Sequence, residues 1–241
     1  MTAEILLLAA SAATIAFVHT LLGPDHYLPL VAMARSRGWS VGKTMRISLL
    51  CGCGHVAGSI ILGAVGIIIG VHLGTLEWIE SIRGELAAWA LTAFGLVYMT
   101  WGLHSAQRKK PHDHWHSHGN FRHRHPHNHY QEHAHVHDQV ETGKAEKKSI
   151  APWVIFIIFV LGPCEPLIPL LMFPAANENI LGVFLVTLVF AVVTLLTMLV
   201  AIFFSVHGLR HIKLSRLETY KHAITGGTVM LCGLSISVLG L

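Results

Sequence analysis

Six apolar segments dominate this chain, and each is long enough to cross a membrane as a helix. One crossing takes about 20 apolar residues. The segments run over residues 4–33, 44–73, 84–104, 150–174, 179–207 and 218–241. Only 12% of the residues are charged, against a usual share of about 25%, so a soluble fold could not cover these segments with a polar surface. We therefore predict an all-α membrane protein with six transmembrane helices.

The basic residues indicate how the helices are oriented. Sixteen of the 17 Lys and Arg residues lie in the loops after the first, third and fifth segments, and only Arg83 falls on the other side. Because cytoplasmic loops carry the excess of Lys and Arg, we predict that these loops are cytoplasmic and that both termini are outside, in a prokaryotic-type inner or cell membrane. The N-terminal apolar run lacks a preceding basic region, so we interpret it as a retained helix and not a signal peptide.

The third loop contains a histidine tract, PHDHWHSHGNFRHRHPHNHYQEHAHVHD (residues 111–138), with eleven histidines. We expect this low-complexity tract to be disordered without metal. Imidazoles capture borderline divalent ions at neutral pH, so the tract would collect ions for export or buffer them after import. The net charge of +4 is confined to short loops without a basic face among aromatics, which argues against nucleic acid as a partner.

The two halves of the chain resemble each other. LGPDHYLPL (22–30) matches LGPCEPLIPL (161–170), with one extra residue in the second. The interval from Pro24 to His55 equals that from Pro163 to Thr194, and Gly95 and Gly102 have the same spacing as Gly226 and Gly233. Three helices per half would insert with opposite topology, as in transporters built from inverted repeats. We predict a first repeat over 1–104, a cytoplasmic His-rich loop over 105–149 and a second repeat over 150–241, with Gly-Pro breaks in the first and fourth helices.

Potential metal ligands lie at both predicted breaks. Ionisable residues in a membrane core are costly and usually functional, and irregular backbone at that depth is tolerated where it lines a cavity. The candidate ligands, in order of preference, are Asp25, His26, Glu165, Cys164, His55 and His19. Imidazole, carboxylate and thiolate suit Ni, Co, Zn or Fe(II) better than Mg or Ca. The ion would be cargo, so we expect neither a cofactor nor an enzymatic activity.

A stripe on the second predicted helix adds to this site. Cys51, His55 and Ser59 are spaced by four and share one helix face. The corresponding residues of the fifth segment are around Thr194 and Met198. No Walker-type phosphate loop occurs in the chain, so we expect transport to be coupled to an ion gradient, with protons released on metal binding as the natural partner.

These motifs resemble known families. His19, GPDH (23–26), the basic turn RSRGW (35–39) and GHVAGS (54–59) together resemble the nickel/cobalt exporter family and the related urease-accessory and hydrogenase-accessory membrane proteins. The second half, GPCEPLIPL (162–170), is similar to the cytochrome c biogenesis membrane domain, a relative in the LysE-type superfamily. The resemblance covers most of the chain outside the histidine tract. It implies a six-helix fold, a His-rich loop and metal transport, and it leaves room for a homo-oligomer.

The second resemblance supplies an alternative function. The cytochrome c biogenesis relatives carry electrons across the membrane through one cysteine in each half. This chain has Cys164 in its second half but Asp25 at the aligned place in the first, so Cys51 or Cys53 would have to substitute. The alternative to a metal transporter is therefore a transmembrane thiol-disulfide electron carrier.

Overall fold

A computed structural model describes residues 3–108, 112–118, 121–127, 150–164, 166–177, 179–210 and 218–239. Four helices within these ranges are long and apolar enough to cross a membrane. They are α1 (Ala3–Leu22), α3 (Val41–Ile69), α4 (Leu73–Arg108) and α7 (Ile180–Arg210). The expectation of a helical membrane protein is confirmed at this level.

The remaining helices are shorter. They are α2 (Leu28–Arg37), α5 (Ala151–Leu161), α6 (Leu167–Ala176) and α8 (Lys221–Leu239). Two interrupted pairs occur, α1–α2 and α5–α6. A 3-10 turn over Pro24–His26 joins α1 to α2, and an irregular segment around Pro163 joins α5 to α6. Both interruptions lie at Gly-Pro pairs because proline donates no backbone hydrogen bond and disfavours helical geometry in the preceding residue. A second 3-10 turn, Glu218–Tyr220, precedes α8.

Glycines allow α4 and α8 to pack with their backbones almost in contact. A Cβ atom added to Gly95 would lie 2.7 Å from Met230 Cα, and one added to Gly226 would lie 2.5 Å from Met99 Cα. Elsewhere α1 packs on α7, α5 packs on α3, and α3 also contacts α7. Contacts through small residues, like those between α4 and α8, are the usual way in which membrane helices approach closely.

Two apolar clusters lie on either side of a polar layer, and a third, smaller cluster lies between α4, α5 and α8. The α2-side cluster includes Leu30, Met33, Cys51, Ile155, Phe159, Met198 and Ile202. The α6-side cluster comprises Ala12, Ala16, Cys164, Leu167, Leu171, Val186 and Phe190. Along α7, Phe190 belongs to the second cluster and Met198 to the first, and the buried Thr194 lies between them. His55 occupies the same level on α3, between Cys51 of the α2-side cluster and Ile60, which packs against the α6-side cluster.

Part of the histidine tract forms an antiparallel hairpin of β1 (His112–His118) and β2 (Phe121–His127). His112 is opposite His127, and His116 is opposite His123. The expectation of disorder is therefore wrong for these two stretches. The physical reason is visible in the sequence, since histidine at every second position has the period of a strand.

Candidate metal centre

Three histidines from three different elements converge between the two helix breaks. His19 lies in the last turn of α1, His26 ends the 3-10 turn, and His55 lies in the middle of α3. The ring centroids of His19 and His26 are 4.9 Å apart, and those of His26 and His55 are 5.0 Å apart. One ring nitrogen from each of the three residues lies within 4.8 Å of the other two.

Backbone and carboxylate acceptors orient two of these rings. His26 Nδ1 lies 3.1 Å from Gly23 O and 3.1 Å from Asp25 Oδ1. His55 Nδ1 lies 3.3 Å from Phe159 O, a carbonyl near the end of α5. A proton on Nδ1 satisfies these acceptors and leaves Nε2 with a lone pair, which is how metal-binding histidines are usually held.

The opposite ring nitrogens have no such partners. Nε2 of His19, of His26 and of His55 is buried and makes no hydrogen bond within the part of the chain that the structure describes. A buried polar atom without a partner costs about 1–3 kcal/mol. Each of the three neighbouring rings thus has a buried nitrogen that is free to bind a ligand.

A cavity of about 30 Å³ adjoins the histidines. Asp25, His26 and His55 line one part of it, and Phe159, Gly162 and Pro163 of the second break line another. Its volume is about that of one water molecule in the liquid. It therefore has room for one ion or water, between the two breaks and within the polar layer.

The three histidine nitrogens lie within 4.8 Å of one another. An ion at their centre would therefore lie at most about 2.8 Å from each nitrogen, and a Zn–N bond is about 2.1 Å. The rings would have to move inwards by up to about 0.7 Å to close on an ion. Small shifts of this kind suit a site that takes up and releases its ion.

The other predicted ligands occupy different positions. The Asp25 carboxylate contacts the His26 ring, so it orients that ring and adds negative charge beside it. Cys164 is fully buried in the α6-side cluster, and its backbone N–H donates to Ser59 Oγ at 3.2 Å. Neither belongs to the group of three converging nitrogens. Glu165 lies outside the described residues.

The predicted stripe on α3 faces the interior. Cys51, His55 and Ser59 are all buried. Thr194 of α7, at the repeat position matching His55, is also buried, and its hydroxyl has no hydrogen-bond partner among the described residues. The matching positions thus provide an imidazole in one half and a hydroxyl in the other.

A buried ion pair beside the second break escaped the sequence analysis. Arg83, which the charge count assigned to the other side of the membrane, lies inside α4 with a side chain only 18% exposed. Its Nη1 pairs with Glu80 Oε1, and the Glu80 side chain is completely buried. Two opposite charges three residues apart were the available signal, because such a pair shares one helix face.

The cysteines lie apart from one another in the packing. Cys51 is part of the α2-side cluster, whereas Cys164 is part of the α6-side cluster. Cys51, Cys53, Cys164 and Cys232 are all free thiols.

Comparison of the chain with family models, with curated proteins and with solved structures finds no match.

Proposed function

We propose that this protein is a membrane transporter of a divalent transition-metal ion, with His19, His26 and His55 as the ligands of the transported ion. The observation that carries the proposal is the meeting of three histidine rings whose buried Nε2 atoms have no hydrogen-bond partner among the described residues. A cavity for one ion lies beside His26 and His55. Neutral imidazoles with a neighbouring carboxylate favour Ni, Co, Zn or Fe(II) over Mg and Ca. Cys164 and Glu165 remain proposed ligands at the second break, for a state in which that break turns towards the ion.

The fold that we propose has six membrane-embedded segments in two inverted repeats. The pairs α1–α2 and α5–α6 form the broken first and fourth segments. Three observations support this arrangement. The breaks occur at matching sequences, α4 and α8 pack through their own repeat glycines, and α1 packs on α7 as α5 packs on α3. A two-fold axis that exchanges the halves would produce this last pair of contacts.

The packing supports alternating access rather than a continuous pore. The polar layer that holds the histidines lies between the α2-side and α6-side clusters. An ion at the histidines would therefore have one apolar cluster towards α2 and the other towards α6. Movement of one broken helix against the other repeat would open one cluster at a time.

The same residues support the proposed family relationship. The motif that resembles the nickel/cobalt exporters contains His19, Asp25, His26 and His55, and these four residues meet at one place. We therefore propose membership of that family, export from the cytoplasm and exchange of the metal for protons. The charge distribution supports cytoplasmic loops that include the histidine tract, with both termini outside.

Transport by the purified protein tests this function. In proteoliposomes we expect uptake of at least one of Ni, Co, Zn and Fe(II), accelerated by a pH gradient directed against the metal flux, because metal binding to imidazoles competes with protons. Fluorescent metal indicators and a pH dye inside the vesicles would record both fluxes. Empty vesicles provide the control. Metal flux that does not respond to the pH gradient would contradict proton exchange, and no flux of any of the four ions would contradict the transport function.

Deletion of residues 112–137 should raise the metal concentration needed for half-maximal flux and leave the maximal rate nearly unchanged. The tract offers many equivalent ligands, so it can raise the local ion concentration without taking part in translocation. The effect should appear only when metal is supplied on the cytoplasmic face, which oriented inside-out and right-side-out vesicles would distinguish. An effect on the opposite face would contradict the proposed topology, and loss of flux at saturating metal would place the tract in the pathway.

A further inference from the structure

Arg83 holds the second helix break through several hydrogen bonds. Its Nη2 donates to Val160 O at 3.0 Å and to Gly162 O at 3.4 Å. Its Nη1 pairs with Glu80 and lies 3.5 Å from Ser59 Oγ. One guanidinium group thus joins α4 to the end of α5 and to the polar stripe of α3.

These bonds satisfy carbonyl groups that the helix break leaves without a hydrogen-bond partner. The last carbonyls of a helix have no partner within the helix, and in the membrane interior each unsatisfied group is costly. A guanidinium presents five N–H donors in a rigid plane, so it can serve two carbonyls and a carboxylate together. Glu80 offsets its charge, which makes the burial of an arginine at this depth tolerable.

Small residues let Arg83 approach the break. A Cβ atom on Gly58 would lie 2.7 Å from Arg83 Nη2, and a Cβ on Gly84 would lie 2.9 Å from Pro163 Cγ. A larger residue at position 84 would therefore push α4 away from the break, and one at position 58 would displace the Arg83 guanidinium. The glycines of α3 and α4 therefore fit the position that Arg83 takes against the end of α5.

The same stretch of α5 carries the acceptor for a metal-binding ring. Phe159 O accepts from His55 Nδ1, and the carbonyls of Val160 and Gly162, just after it, accept from Arg83. The first break differs, because Gly23 O there is bonded by the ring of His26 itself. At the first break, the free carbonyl is thus bonded by His26, a proposed metal ligand. At the second break, the free carbonyls are bonded by Arg83, which is not one of the proposed ligands.

We propose that Arg83 is a positioning residue, which clamps the second break and thereby sets the orientation of His55. Its effect on the metal rests on the proposed function, but its effect on the break does not. The clamp makes the second break a fixed wall of the site in this state of the protein. The first break is held differently, through the ring of His26.

Reactivity of Cys164 tests the clamp without any metal. Cys164 is fully buried beside the break, and Ser59 Oγ bonds to both its N–H and Arg83. In a protein with Cys51, Cys53 and Cys232 changed to Ala, we expect Arg83→Gln to raise the rate of Cys164 modification by N-ethylmaleimide at least about tenfold, because local opening exposes the thiol. Arg83→Lys should give an intermediate rate. Arg46→Gln, which removes an exposed arginine of α3, should leave the rate unchanged.

A second variant keeps the test independent of the buried charge. Ser59→Ala retains the Arg83–Glu80 pair and removes only the hydroxyl that joins Arg83 to the Cys164 N–H, so it should raise the rate by a smaller factor. If Arg83→Gln does not fold, Arg83→Lys and Ser59→Ala decide the question. Folded variants at Arg83 and Ser59 that react as slowly as the parent protein would overturn the clamp.

The metal readout separates the two proposals. The metal is Co²⁺, and residues 112–137 are deleted so that the tract does not bind it. Arg83→Gln should alter the visible absorption spectrum of the bound ion and weaken binding up to about tenfold. The effect is at the low end of that for losing an outer-shell partner, because Arg83 acts on His55 only through the end of α5. If Cys164 becomes reactive while His55→Ala leaves Co²⁺ binding intact, the clamp holds and the metal site is wrong. If His55→Ala abolishes binding while Cys164 stays protected in Arg83→Gln, the metal site holds and the clamp is wrong.

Discussion

Replacement of His26 by alanine should abolish high-affinity metal binding and transport. His26 is the central member of the three, since its ring is about 5 Å from those of His19 and His55. Its loss also frees Gly23 O and Asp25 Oδ1, which its ring now bonds. We expect the dissociation constant for Ni²⁺ or Co²⁺ to rise by more than about 100-fold, beyond the usual effect of losing an outer-shell partner.

The measurement is calorimetry on protein lacking residues 112–137, so that the tract does not mask the central site. His104→Ala is the matched control, because His104 is an exposed histidine on α4 outside the cluster. Asp25→Asn should weaken binding less, by about 10- to 100-fold, because it removes an orienting group and not one of the three nitrogens. Stoichiometric tight binding by His26→Ala would place the site elsewhere.

Gly226→Ala should destabilise the protein far more than Gly227→Ala, although the two residues are neighbours on α8. A Cβ on Gly226 would lie 2.5 Å from Met99 Cα, an atom of the α4 backbone that cannot turn aside. A Cβ on Gly227 would meet only Met99 Sδ, at 3.7 Å. Forcing a methyl group into a tight contact costs about 1–3 kcal/mol, whereas alanine gains up to about 1 kcal/mol over glycine in a helix.

Thermal denaturation in detergent, followed by size-exclusion chromatography, would measure the difference. The Gly226 variant should lose its monodisperse peak at a lower temperature than the parent protein. The Gly227 variant should match or exceed the parent. Equal melting temperatures for the two variants would show that α4 and α8 do not pack through Gly226, and would remove one support for the inverted repeat.

Local chemistry made the helix breaks predictable. A proline that follows glycine in an apolar helix removes a donor and disrupts the turn before it, whatever surrounds it. The interruptions at Pro24 and Pro163 therefore lie where the sequence indicates. The face shared by Cys51, His55 and Ser59 was equally predictable, because a helix repeats every 3.6 residues. The hairpin in the histidine tract was a missed local signal, since its alternation was present in the sequence.

Contacts between distant residues were not predictable in this way. A continuous helix would place His19 and His26 on one face, but the helix ends between them, and only the path of the 3-10 turn brings their rings to 4.9 Å. Arg83 bonds carbonyls 77 and 79 residues further along the chain. Nothing near Arg83 in the sequence reveals those acceptors, so the charge count could not predict its bonds.

The sequence alone determined that the chain is apolar and helical, that two of its helices break, and that histidine and carboxylate groups lie at the first break. These properties depend on composition and on neighbours a few residues apart. Only the tertiary structure decided that three histidines converge, that Asp25 orients His26, and that Arg83 closes the second break. The physical reason is that hydrogen bonds and metal ligation act over about 3 Å, so they depend on how α1, α3, α4 and α5 pack together, and that packing is set by the whole chain.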